Sequence, residues 1–197
     1  MNKTVFADKI FYYEDVIGDP GRIVDLIEST ENELNDTSLI SSWHEWTSSN
    51  MDHKFGYRKV TNPSMIQVAS EEVSELYLTL MNALDLVGED YSKSLNIPKG
   101  VSAPISISKY LANEYMGPHA DEGDPRAHFS AVLYLNDNYQ GGGLGFPNQD
   151  IFIQPKAGSI IVFPSVQPYV HDPKPADGVK YISPAFWFVE NSPLISA

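Results

Sequence analysis

One short run places a histidine and an aspartate a single residue apart: Gly117-Pro118-His119-Ala120-Asp121. In an extended segment, residues i and i+2 point to the same face. An imidazole and a carboxylate can therefore address one ion from this run. His171, 50 residues beyond Asp121, offers a second imidazole. Two imidazoles and one carboxylate make a facial ligand set that leaves coordination positions open, an arrangement suited to non-haem Fe(II) and oxygen chemistry. Taken alone the pattern is common, and a lone histidine is more often structural. His44, His53 and His128 have no such spacing; surface or structural positions are expected for them.

Composition narrows the remaining chemistry. The chain has 197 residues and no cysteine, which excludes a disulfide framework, a thiolate metal site and a cysteine nucleophile. Acidic side chains number 26 against 13 basic ones, a formal charge of -13. A field of that sign repels polyanions, so nucleic acid and anionic membranes are not expected partners. No run approaches the ~20 apolar residues of a membrane span, and the first residues lack a signal-peptide pattern. The expectation is a soluble, cytoplasmic chain forming a single domain over 1–197; its oligomeric state is not readable.

The elements that must position these residues fall into two halves. In the first, Asp19-Pro20 is a cap-and-proline start, followed by Ile23, Leu26, Ile27 and Leu34 on one helical face. A second helix is expected to open at Asn62-Pro63, carry Ile66, Ala69, Val73, Leu76, Tyr77, Leu80, Leu84 and Val87, and stop at Gly88. Between them, Ser41 to Lys59 is polar and aromatic, a substrate lid or a β-excursion; Trp43 and Trp46 can equally cap the core. From Ile105 the chain reads as short strands: Ile105–Tyr110, His128–Leu135, Ile151–Gln154, Ser159–Phe163 and Lys180–Val189. Pro184 inside the last predicts an edge or a bulge. Helices followed by strands, without alternation, predict an α+β, mainly β fold with helices on one side of a jelly roll.

Further motifs flank the His-x-Asp. Tyr110 precedes His119 by nine residues, and Lys180 follows His171 by nine. Between the histidines come Tyr134-Leu135-Asn136, Gly141-Gly142-Gly143-Leu144-Gly145-Phe146-Pro147 and Pro155-Lys156-Ala157-Gly158-Ser159. In this order they resemble the Fe(II)- and 2-oxoglutarate-dependent oxygenases, in the prolyl 4-hydroxylase-like branch. The resemblance spans about Ile105 to Glu190. It implies a double-stranded β-helix over 105–190, with 1–104 as a helical buttress and substrate lid.

The resemblance also implies roles. His119, Asp121 and His171 would ligate Fe(II). Lys180 would pair with the distal carboxylate of 2-oxoglutarate, Tyr134 would add a hydroxyl to it, and Tyr110 would lie beside it. An unpaired carboxylate deep in an apolar barrel is costly, which gives a buried cation its physical reason. No catalytic residue beyond the metal ligands is implied. Leu144, Ile161 and Phe163 are apolar walls. Ile182, Pro184, Phe186 and Phe188 share the face of Lys180, but either Phe186 or Trp187 can line the pocket. The implied reaction is hydroxylation of a prolyl or other residue in a peptide or protein, using O2 and releasing succinate and CO2, with ascorbate as an admissible reductant. Rival readings are an oxygenase of a small molecule or free amino acid, the nucleic-acid dealkylating branch, which the charge disfavours, and a non-catalytic metal-binding jelly roll.

Overall fold

The computed structural model describes residues 1–7, 9–29, 44–48, 51–59 and 71–190. In chain order they form β1 (Asn2–Ala7), β2 (Ile10–Glu14), α1 (Pro20–Ser29), β3 (His44–Ser48), β4 (Met51–Lys59), α2 (Glu71–Leu95), β5 (Val101–Ser102), β6 (Ser106–Tyr110), β7 (Ala127–Tyr134), β8 (Leu144–Phe146), β9 (Ile151–Ile153), β10 (Ile160–Pro164), β11 (Asp172–Pro173) and β12 (Lys180–Phe188). The larger sheet runs β1-β2-β10-β7-β12-β6-β4-β3, with β5 also on β12; the smaller runs β11-β8-β9. All their pairings are antiparallel. This is the mainly-β, jelly-roll architecture expected, with helices on one side.

Both faces of the central strands are buried, so they read as apolar runs. Alternation divides them between two cores. Phe129, Ala131 and Leu133 of β7, Ile160 and Val162 of β10, and Tyr181, Ala185 and Trp187 of β12 face the helices. Their neighbours Tyr134, Ile161, Phe163 and Ile182 join Leu144 and Phe146 of the smaller sheet in a second cluster. The helices thus back the large sheet, and the space between the sheets is left for chemistry.

α1 starts as expected: the Asp19 carboxylate accepts the Arg22 backbone N–H at 3.0 Å, with Pro20 in the first turn. Ile23, Leu26 and Ile27 are buried, while Leu34 lies outside the described residues. The expected opening of the second helix, Asn62 to Ala69, lies outside them too.

Gly88 does not stop α2, which continues to Leu95. The stop is Asn96, left-handed at φ 53°. There the Ile97 N–H reaches the Ser92 carbonyl at 2.9 Å, and the Asn96 N–H reaches Lys93 at 3.2 Å. That is a Schellman closure with Asn in glycine's usual place. Gly88 instead permits close packing: a β-carbon there would sit 2.8 Å from Trp187. Trp187 in turn stacks on Phe129 at 4.6 Å between centroids. Gly88→Ala is expected to destabilise the fold by about 1–3 kcal/mol through overpacking, read as a lower urea midpoint; an unchanged midpoint would contradict this packing.

Residues 1–104 contribute β1 to β5 as well as the helices. β2 pairs with β10, so the amino-terminal hairpin extends the large sheet. Within the Ser41 to Lys59 segment, the described residues 44–48 and 51–59 are strands: β3 pairs with β4, and β4 with β6. Trp43 lies outside the described residues. Pro184 corrects its expectation, because β12 is interior to the sheet. It pairs with Val132 of β7 and falls, on the other flank, between the stretch paired to β6, which ends at Ile182, and the stretch paired to β5, which starts at Trp187. The ladder irregularity lies at Trp187 and Phe188 instead. Among the described residues, no helix is long and apolar enough to cross a membrane.

Candidate active site

His119 and His171 lie outside the strands, yet they form an antiparallel bridge. The N–H of each donates to the carbonyl of the other at 2.9 Å. This couples two loops and sets the imidazoles 4.1 Å apart between ring centroids. Nδ1 of His119 lies 2.7 Å from the Gly117 carbonyl, an acceptor only, so His119 carries its proton on Nδ1. Its Nε2 then faces Asp121, 3.4 Å from Oδ1. His171 Nε2 lies 3.9 Å from Oδ2 of the same carboxylate. One ligand atom from each residue lies within 4.8 Å of the others. Phe163 packs on the His171 ring at 4.7 Å and keeps that side dry.

Two of the three groups are in the state a cation needs, and His119 has a proton to give up first. Burial, only partly countered by the Asp121 charge, pushes His171 down to about 4. Burial opposes ionisation of Asp121, but the His119 contact, the His171 ring and the Ser130 hydroxyl outweigh it and hold the carboxyl below its ordinary value. For His119 burial also disfavours the cation; Asp121 and the Gly117 carbonyl outweigh it and raise the pKa. A carboxylate and two imidazoles converging in one corner are donors for a divalent metal, which displaces the His119 proton as it binds. The donor set fits one.

These residues line a cavity of about 330 Å³ together with Lys180, Tyr134, Tyr110, Ser106, Ser108, Val132, Leu144, Ile182, Pro184 and Phe186. All six residues singled out in the sequence meet there. The closed end holds Lys180, 2% exposed, with Tyr134 and Tyr110 also buried. Lys180 donates to the Lys174 carbonyl at 3.2 Å and lies 4.8 Å from the centre of the Tyr110 ring. Among the described residues, no carboxylate pairs with it. Burial alone brings its pKa down to about 8. Tyr134 is raised well above the ordinary tyrosine range, chiefly by burial, so its hydroxyl stays protonated as a donor. One cavity thus brings a buried cation and a hydroxyl together with a metal-type donor set.

Local structure explains this placement. Lys180 opens β12 opposite Tyr110 of β6. Tyr134 ends β7, where the Pro155–Ser159 turn grips it: the Gly158 N–H donates to the Tyr134 carbonyl at 2.8 Å, and the Tyr134 N–H donates to Ser159 at 2.9 Å. Gly158 has φ 77°, and a β-carbon there would lie 2.7 Å from the Ile17 carbonyl.

The choice between Phe186 and Trp187 is resolved by parity: Phe186 lines the cavity with Lys180, and Trp187 faces the helices. Leu144 is a wall; Ile161 and Phe163 stand one layer behind it. His128 is structural: it is buried, and its Nε2 meets the Pro98 carbonyl at 2.9 Å. Sequence reading passed over Ser106 and Ser108, although counting back in twos from Tyr110 along β6 puts both on the cavity face.

The sequence model of the 2OG-Fe(II) oxygenase superfamily matches residues 105–189, from just before β6 to just past β12. The match takes in the β-core and leaves the amino-terminal half outside it. Members work with Fe(II), 2-oxoglutarate and O2, in keeping with the His-Asp-His donor set. No curated protein matches the chain in sequence. In fold it is similar to a Trichoplax adhaerens prolyl hydroxylase solved with a hypoxia inducible factor peptide fragment (TM-score 0.70, 15% identity, covering 97% of this chain and 88% of that one). It is also similar to a Pseudomonas putida prolyl-4-hydroxylase (0.63, 16%, 93% and 94%). A third likeness is to the viral collagen prolyl hydroxylase of Paramecium Bursaria Chlorella virus-1 in complex with 2OG (0.60, 14%, 91% and 95%).

Proposed function

We propose that this chain is a 2-oxoglutarate-dependent dioxygenase that hydroxylates a prolyl or other residue within a peptide or protein. The observation that carries the oxygenase reading is Lys180, a buried cation with no carboxylate partner among the described residues, in one cavity with the His119, Asp121 and His171 donors. A buried unpaired charge is costly. A co-substrate that is itself a dianion compensates it.

In this reading His119, Asp121 and His171 would hold Fe(II). The bound metal, with 2-oxoglutarate and O2, supplies oxidative decarboxylation to succinate and CO2 coupled to hydroxylation of a substrate C–H bond. The protein's own work is orientation. The Gly117 carbonyl fixes the His119 tautomer, as outer-shell partners of metal-binding histidines do. Lys180 and Tyr134 bind the far carboxylate through charge-assisted hydrogen bonds. Tyr110 closes the base, and Leu144, Phe146 and Phe163 exclude water.

The cavity mouth supports a peptide substrate. Its partly exposed lining is Ser106, Met116, Val132, Pro173, Pro184 and Phe186, beside His119 and Asp121. Apart from the metal donors, none of these is charged. A free amino acid would bring an ammonium and a carboxylate that find no partner in this lining, whereas a prolyl ring within a chain brings neither. The fold neighbours whose names are prolyl hydroxylases point the same way. Incubation with a proline-containing peptide array, Fe(II) and 2-oxoglutarate is expected to add one oxygen atom to prolyl peptides, with matching succinate release by mass spectrometry. Turnover confined to free amino acids would refute the peptide reading.

A further inference from the structure

We infer that Asn136 is a positioning residue for Lys180, and through it for the far carboxylate of the co-substrate; this rests on the reading of Lys180 given above. Asn136 lies two residues past β7, at the end of the Tyr134-Leu135-Asn136 run. Its Nδ2 donates to the Val179 carbonyl at 2.8 Å, and its Oδ1 accepts the Tyr181 N–H at 2.8 Å. One side-chain amide therefore bridges the two residues that flank Lys180. The amide is itself oriented, because Nδ2 also donates to Asn138 Oδ1 at 2.7 Å. The Leu135 N–H donates to the Tyr181 carbonyl at 3.0 Å. The run that carries Tyr134 is thus tied to the residue after Lys180, which sets the separation of the ammonium and the phenol.

The position needs such a tie. The ladder from β12 to β6 starts at Lys180 itself, and the ladder to β7 starts at Ile182. The backbone on the amino-terminal side of Lys180 therefore lies outside both. Lysine is a point charge on a flexible four-carbon stem, so its aim depends on where its backbone is held. Asn136 takes the place of the missing ladder. From the helix side, Glu28 adds a second restraint, accepting the Tyr181 hydroxyl at 2.7 Å.

Calorimetric titration of the Mn(II)-loaded full chain with two ligands tests this. On the reading above 2-oxoglutarate would meet both the metal and Lys180, whereas the shorter oxalate would chelate the metal alone. Asn136→Ala is expected to weaken 2-oxoglutarate binding about tenfold and to leave oxalate and Mn(II) affinities within about twofold. Equal loss for both ligands would mean a general structural role and overturn the inference, as would no loss for either. Should the alanine variant fail to fold, Asn136→Asp keeps the acceptor for Tyr181 and removes the donor to Val179; it should show the same split between ligands. Lys180→Met run in parallel separates the two levels. If it leaves 2-oxoglutarate affinity unchanged, the reading of Lys180 fails. If it weakens binding while Asn136→Ala does not, only the role of Asn136 fails.

Discussion

Replacing Lys180 by methionine is expected to stabilise the ligand-free protein while abolishing its stabilisation by 2-oxoglutarate beyond that of metal and a short chelator. Lys180 is 2% exposed, and burial alone lowers its pKa from 10.5 to about 8. A displacement of that size corresponds to on the order of 3 kcal/mol, a cost carried whenever the folded protein holds this ammonium charged. Methionine fills similar volume without charge and removes that cost. The pH dependence follows from the same direction. Below about pH 8 folded and unfolded chains both hold the proton, and the full cost is present. Between about 8 and 10.5 the unfolded chain keeps a proton that the folded one has released, so stability from this group rises with pH. Wild type minus variant, followed by urea unfolding from pH 7 to 10, should therefore narrow upward. In the wild type with Mn(II), 2-oxoglutarate at a hundred times its Kd should add about 2.7 kcal/mol. A methionine variant less stable than wild type at pH 7 would contradict the unpaired cation.

His171→Ala is expected to lower divalent-metal affinity by more than about a hundredfold, beyond the cost typical of losing an outer-shell partner. The acid limb of metal binding is equally specific. With His171 at about 4, its imidazole is already unprotonated at neutral and mildly acidic pH. His119, raised above its ordinary 6.5 by Asp121 and the Gly117 carbonyl against the effect of burial, must release a proton when the metal binds. Mn(II) affinity should therefore decline as pH falls through the His119 value, with the slope of one proton down to about pH 5. A two-proton slope in calorimetric titrations would show both imidazoles competing with the metal.

Why the site was legible in the sequence, and the amino-terminal half less so, has a physical basis. His-x-Asp, the distal histidine and the following lysine announce themselves because scarce, chemically distinct residues must recur at set distances around one cavity. Parity along strands carried further: counting in twos from Lys180 reaches Ile182, Pro184 and Phe186, the residues that line the cavity. β2 was missed because Ile10, Phe11, Tyr12 and Tyr13 are all buried, on two faces, and so show no alternation. Gly88 was misread as a terminator because the need it meets, room for Trp187, arises 99 positions away and leaves no local trace. Pro184 misled for a related reason. A gap between two partner strands spares its missing N–H, and such gaps are set by tertiary pairing. Asn136 was visible as part of a run, but its work, bracketing Lys180, exists only once β7 and β12 lie side by side.

The central claim is that one cavity holds Fe(II) at the His119, Asp121 and His171 end and 2-oxoglutarate against Lys180. Anaerobic addition of 2-oxoglutarate to the Fe(II)-loaded protein, followed by visible absorption, tests it directly. Wild type should show the metal-to-ligand charge-transfer band of a 2-oxo acid chelated to Fe(II), and His171→Ala should show none. Absence of that band in the wild type, with Fe(II) bound and 2-oxoglutarate in excess, would contradict the account.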